Sequence, residues 1–261
     1  MTRTPEVQVV QIDYGPLALA ASLNRAIARD SPLLKATLDV RWDQADAATQ
    51  LHRIETALAA FSPSFREHQC RGSRVYRVFP KEEPALTGAG GGDAGAGGDA
   101  GAGGARGAAE DARPQPFDAG LALAHLIEHA VIDFESAITR ATRISGVTAA
   151  RRSPAGRFDL LVECPDPAVG RLCLALAVLS LTGAADARPP GRGERDLLAT
   201  ARMAYRHPER VFTPPGVARA FAWPIEQADA ALSSLRQLGY LAPLAFTVNI
   251  SGVPRYTVAR T

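Results

Sequence analysis

Leu121-Ala-Leu-Ala-His125-Leu-Ile-Glu128-His129-Ala-Val-Ile-Asp133-Phe-Glu135 is the stretch on which the reading of this chain turns. At about 100° per residue it is an amphipathic helix. Leu123, Leu126, Ile127, Ala130, Val131, Phe134, Ile138 and Ala141 fall on one broad apolar arc, and His125, Glu128, His129 and Asp133 fall together opposite it. Two imidazoles at i and i+4 share a helix face and can hold one Zn2+. A carboxylate just before the second histidine can reach a water on that ion, which makes Glu128 the candidate general base. The order is H-x-x-E-H, the inverted form of the H-E-x-x-H zinc motif.

A catalytic zinc also needs a third protein ligand and an open position. Asp133 is the first candidate for that ligand, because i+8 returns it to within about 80° of His125. Glu163, at a strand end, and Glu135 are alternatives, with His68 and Cys70 behind them. The competing reading is a solvated helix face carrying i, i+4 pairs and no metal.

Outward from this helix, the pattern alternates. Residues 7–14 are β-rich and stop at Gly15-Pro16; residues 17–29 space Leu17, Leu19, Leu23 and Ile27 as a helix. Residues 34–42 read as a second strand. A helix over 46–61 carries Leu51, Ile54, Leu58 and Phe61 on one stripe, and residues 73–79 read as a third strand. The central helix spans about 118–144, a strand follows at 157–163, and an apolar helix runs from Pro165-Asp166-Pro167 through Leu181. These elements predict an α/β or α+β layer over residues 1–182, with helices packed on a sheet. Residues 84–116 are Gly and Ala with a few Asp, too poor in large apolar side chains to offset the entropy of ordering. They are read as a flexible insertion.

Beyond a Pro/Gly/Ala/Arg linker at 183–192 comes a second pattern. Helices are expected over 194–205, 213–222 (with Thr213 as N-cap) and 224–238, and Gly239 stops the last of them. Two β-like runs, 240–248 and 255–259, complete it. Three helices and a hairpin over 193–261 resemble a small winged helix-turn-helix unit, with a DNA or protein partner as the expectation. From residue 190 onward there are nine Arg against five acidic residues. Gln227 and Arg236 on the third helix and Arg255 near the hairpin are the candidate nucleic-acid contacts, although Glu226 and Asp229 share that helix.

Composition bounds the rest. With 261 residues and 46% apolar content the chain can bury one large core or two modest ones, and a net charge of +2 dictates no nucleic-acid partner. Cys70, Cys164 and Cys173 form no C-x-x-C pair and read as reduced thiols. The polar N-terminus and the short apolar run 172–181 predict a cytoplasmic chain with no membrane partner. No oligomeric state follows from the sequence.

Several segments also resemble the N-terminal domain of cyanophycin synthetases. That family's G-H-V-x-E-H-x-A-L-E-L-Q stands here as Ala124-His125-Leu-Ile-Glu128-His129-Ala-Val-Ile-Asp133-Phe-Glu135. Gly15-Pro16 matches its early G-P-N. Phe61-Ser-Pro-Ser-Phe-Arg-Glu-His68-Gln-Cys70 resembles L-P-x-L-x-x-H-x-C, and Asp166-Pro-Ala-Val-Gly170-Arg171 resembles E-x-x-V-G-R after the strand Phe158-Asp-Leu-Leu-Val-Glu163. The resemblance implies a zinc peptidase-like module with His125 and His129 as ligands and Glu128 as base. A peptide or cyanophycin-like polyamide would be the substrate. Asp133 replaces the family's Glu, one methylene shorter. The chain has no G-x-x-x-x-G-K-[ST] loop, so ATP-dependent synthesis is not expected of it. A non-catalytic peptide, polymer or DNA binder is the alternative.

Overall fold

A computed structural model describes residues 4–42, 47–62, 78–79, 118–185, 188, 190–244 and 253–259. The chain begins with β1 (Glu6–Pro16), α1 (Ala18–Leu23), β2 (Pro32–Arg41), α2 (Ala47–Phe61) and the two-residue β3 (Val78–Phe79). The central helix α3 (Ala119–Thr139) follows, then β4 (Gly146–Arg151), β5 (Arg157–Glu163) and α4 (Pro167–Ala185). Four strands pair antiparallel in the order β1-β2-β5-β4, and β3 lies parallel to β4 at the far edge. The fold is mixed α+β, with helices packed on a largely antiparallel sheet. Strand β4 has no counterpart in the sequence reading. The segment 84–116 and the candidates His68 and Cys70 lie outside the described residues, as does most of the expected strand 73–79.

Register decides which side chains meet the helices, because successive strand residues alternate faces. Leu34 stands opposite Val162, Ala36 opposite Leu160 and Leu38 opposite Phe158; Val162, Leu160 and Phe158 stand in turn opposite Gly146, Thr148 and Ala150. This set faces α2, α3 and α4 and forms the main core with Ile54, Leu58, Ile127, Phe134 and Leu172. On the other face Leu33, Val147 and Leu161 pack with Ala20 and Ile27 in a smaller cluster. Beside it, Thr37 donates to Asp159 Oδ1 at 2.7 Å and Arg151 pairs with Asp159 Oδ2 at 2.9 Å.

Helix α3 begins where Asp118 accepts from the Leu121 N–H and ends at Arg140, which sits in the left-handed region at φ 63°. Its surroundings correct the amphipathic reading. Every residue from Ala119 to Ser136 is buried or half-buried, including Glu128 at 4% and Asp133 at 3% exposure. The sheet covers one side, α2 and α4 flank it, and α5 (Arg192–Arg206) packs from the C-terminal region. Helical periodicity records where apolar side chains lie; it does not record how many elements surround the helix. Helix α4 is long and apolar enough to cross a membrane by length and composition, and more than half of that window is buried against its neighbours here.

The expected helix 17–29 is only six residues long. Asn24 ends it by turning its amide onto the Gly146 carbonyl while its Oδ1 accepts from the Ala26 N–H. The C-terminal region has helices α6 (Pro214–Phe221) and α7 (Ile225–Gln237) where the sequence predicts them, and a short antiparallel pair, β6 (Leu241–Pro243) and β7 (Tyr256–Val258); residues 245–248 of the expected strand lie outside the described residues. Thr213 caps α6 by accepting from Gly216 N, and Gly239 takes φ 76° after α7. Leu197, Ala201 and Ala204 of α5 belong to the same continuous core as α3. Phe61 meets Phe134 edge-on at 5.9 Å and carries the Arg195 guanidinium 5.4 Å above its ring.

Candidate metal site on the central helix

One helical turn brings His125 and His129 together, and the tertiary fold supplies the rest. Nε2 of His129 lies 3.2 Å from Nε2 of His125. Two nitrogens bound to one tetrahedral zinc at about 2.05 Å are about 3.3 Å apart, so the pair already has the span of two ligands on a shared ion. The rings meet edge-on, 4.5 Å between centroids. The His125 side chain is about one-third exposed, so the pair opens to solvent on one side.

Glu128 is the third member. Its Oε2 lies 3.3 Å from His125 Nδ1, the ring nitrogen that does not face His129. Thr148 of β4 donates its hydroxyl to the same oxygen. Gly146 leaves the room the carboxylate occupies, since a Cβ there would stand 2.7 Å from Glu128 Oε1. Neither Thr148 nor Gly146 was legible as a partner, because β4 itself was not; the only signal is a six-residue run, Gly146-Val-Thr-Ala-Ala-Arg151, of weak alternation.

Among the described residues none of the proposed third ligands completes a metal-holding group with the histidines. Asp133 is buried on the same helix but outside such a group. Glu163 shares the opposite sheet face with its partner Leu33 and accepts from Ser31 Oγ at 2.9 Å and Ser145 N at 2.9 Å. Glu135 is fully buried beside the Cys164 thiol. Burial pushes its carboxyl up to about 8; the Cys164 thiol offsets part of this, and Asp166 and Glu163 add to it. The thiols of Cys164 and Cys173 are free, and burial first, then Glu135, pushes both upward.

No family model, no curated protein and no solved structure matches this chain. The chemistry of the pair therefore rests on its own residues.

The C-terminal candidates are dispersed. Gln227 donates to Asp196 Oδ2 at 2.7 Å and accepts from Arg192 at 2.9 Å, so both ends of its amide are engaged by α5. Arg236, in the last turn of α7, and Arg255, just before β7, are exposed.

Proposed function

We propose that this chain is a zinc-dependent hydrolase of peptide-like amide bonds, with His125 and His129 as two of its protein ligands. The observation that carries this reading is the 3.2 Å separation of the two Nε2 atoms on a half-buried flank of an otherwise buried helix. Zinc held there supplies Lewis acidity and brings a water's pKa down towards neutrality. His125 and His129 would present two nitrogen lone pairs of fixed direction and leave a side open to water and a substrate carbonyl. The sequence order alone would assign proton removal to Glu128. The resemblance of the segments quoted above, within residues 7–182 and outside the Gly/Ala insertion, to the cyanophycin synthetase N-terminal domain supports a polyamide of Asp and Arg as the substrate class.

Metal analysis of the full chain tests the reading. Zinc retained at one equivalent, lost in His125→Ala and accompanied by chelator-sensitive cleavage of an Asp/Arg polyamide, is the expected result. Protein that takes up no stoichiometric zinc overturns it.

For the C-terminal region we infer a winged helix used for protein contact. Support comes from the order α5, α6, α7, β6, β7 and the three-residue turn between α6 and α7. Base readout needs free amide or guanidinium groups near the start of the recognition helix. Gln227 is instead committed to Asp196 and Arg192, and Glu226 and Asp229 sit beside it. Duplex DNA titrated at low salt against the full chain should show no binding. A steep loss of affinity with salt would restore the DNA reading.

A further inference from the structure

The carboxylate of Glu128 sits on the wrong nitrogen for a group whose task is to take a proton at the metal. It faces Nδ1 of His125, whereas the ion's side of that ring is Nε2. Two independent features hold it there. Thr148, fixed in register opposite Leu160, donates to Oε2 from the sheet. Gly146, opposite Val162, supplies the space for Oε1 that any side chain would fill. Asn24 in turn donates to the Gly146 carbonyl at 2.8 Å, tying that strand end to the α1 terminus.

A carboxylate accepts only, so the nitrogen it faces must carry the hydrogen. Nδ1–H on His125 leaves Nε2 as a bare lone pair directed at the His129 side, which is the form a metal requires of it. Ligating histidines are commonly held this way by a carboxylate that does not touch the ion. Glu128 is 4% exposed, so water competes little for its oxygens.

We propose that Glu128 is a positioning residue: anchored by Thr148 in the space left by Gly146, it fixes the tautomer and orientation of His125. The role of the imidazole as a ligand rests on the zinc reading above; the tautomer does not. On that assignment Glu128 is not the group that would take a proton at the metal.

Nitrogen-15 imidazole NMR on the metal-free full chain reads the tautomer directly. His125 should be Nδ1–H in the parent protein and revert towards the Nε2–H form in Glu128→Leu. Thr148→Val should shift it the same way, and Thr148→Ser should restore it. Cobalt(II) titration of the same proteins should show affinity about 10- to 100-fold weaker in Glu128→Leu and Thr148→Val, again restored by Ser, with the urea midpoint confirming that each variant is folded. An Nε2–H tautomer in the parent, or tautomer and affinity unchanged in both Glu128→Leu and Thr148→Val, overturns the proposal. Nδ1–H in a parent that binds no cobalt upholds the positioning contact and defeats the zinc reading. Full cobalt affinity in folded Glu128→Leu does the reverse.

Discussion

Gly146 and Glu128 fit one another as space and occupant: the missing Cβ would stand 2.7 Å from the carboxylate oxygen. Real Cβ contacts are not that close, so Gly146→Ala must move the carboxylate or the strand end. The expected result is a folded protein with metal affinity lowered about 10-fold or more, measured by cobalt(II) titration. Affinity equal to the parent's would mean that the carboxylate has no bearing on the imidazoles.

Glu135 gives a pH dependence of opposite sign to that of an ion-paired acid. Its carboxyl is raised from 4.5 to about 8, chiefly by burial. The folded state therefore binds the proton more tightly than the unfolded one. Its contribution to stability is full below about pH 4.5 and is lost as pH rises through about 8. Urea midpoints should fall across that window, and Glu135→Gln, which needs no proton to be neutral, should flatten the profile. An unchanged slope in the variant would assign the dependence elsewhere.

Arg140 closes α3 in the left-handed region, where a Cβ is strained. Arg140→Gly should stabilise the chain by about 0.5–1 kcal/mol, read as a higher urea midpoint with an unchanged slope. Destabilisation would show that the Arg140 side chain contributes more than its backbone costs.

Asp159 is buried behind the sheet with Thr37 and Arg151 as its partners. Arg151→Leu leaves that carboxylate with one neutral donor, at a cost of about 3 kcal/mol. Adding Asp159→Asn to it should recover much of the loss in the same denaturation experiment, since the uncompensated charge is then gone.

Much of this architecture was legible because local period and local burial agree. Leu51, Ile54, Leu58 and Phe61 stripe α2 and are all buried, and residues 157–163 form β5 at the expected bounds. Asp166 accepts from Ala168 and Val169 at the start of α4, as an acid preceding an apolar helix should. What failed depends on contacts distant in sequence. The residues 17–29 have helical spacing, yet Asn24 is diverted to a carbonyl on β4. Strand β4 has small side chains and a terminal Gly, so its identity comes from pairing with β5 and not from propensity. The site divides in the same way. One turn of helix dictates that His125 and His129 meet, whereas the partner of Glu128 is Thr148, reached only through the sheet register.

Helix α3 is claimed from both directions: the sheet and α4 pack on it from the N-terminal region, and α5 lays Leu197, Ala201 and Ala204 into the same core from the other. Phe61 spans that join, with Phe134 edge-on to its ring and Arg195 over its face. The connection at 183–192 is thus a break in the pattern of elements without being a seam in the hydrophobic interior. Severing the chain there would strip cover from the helix that carries the histidines, and the two pieces would have to be made together, or mixed, to recover a soluble whole.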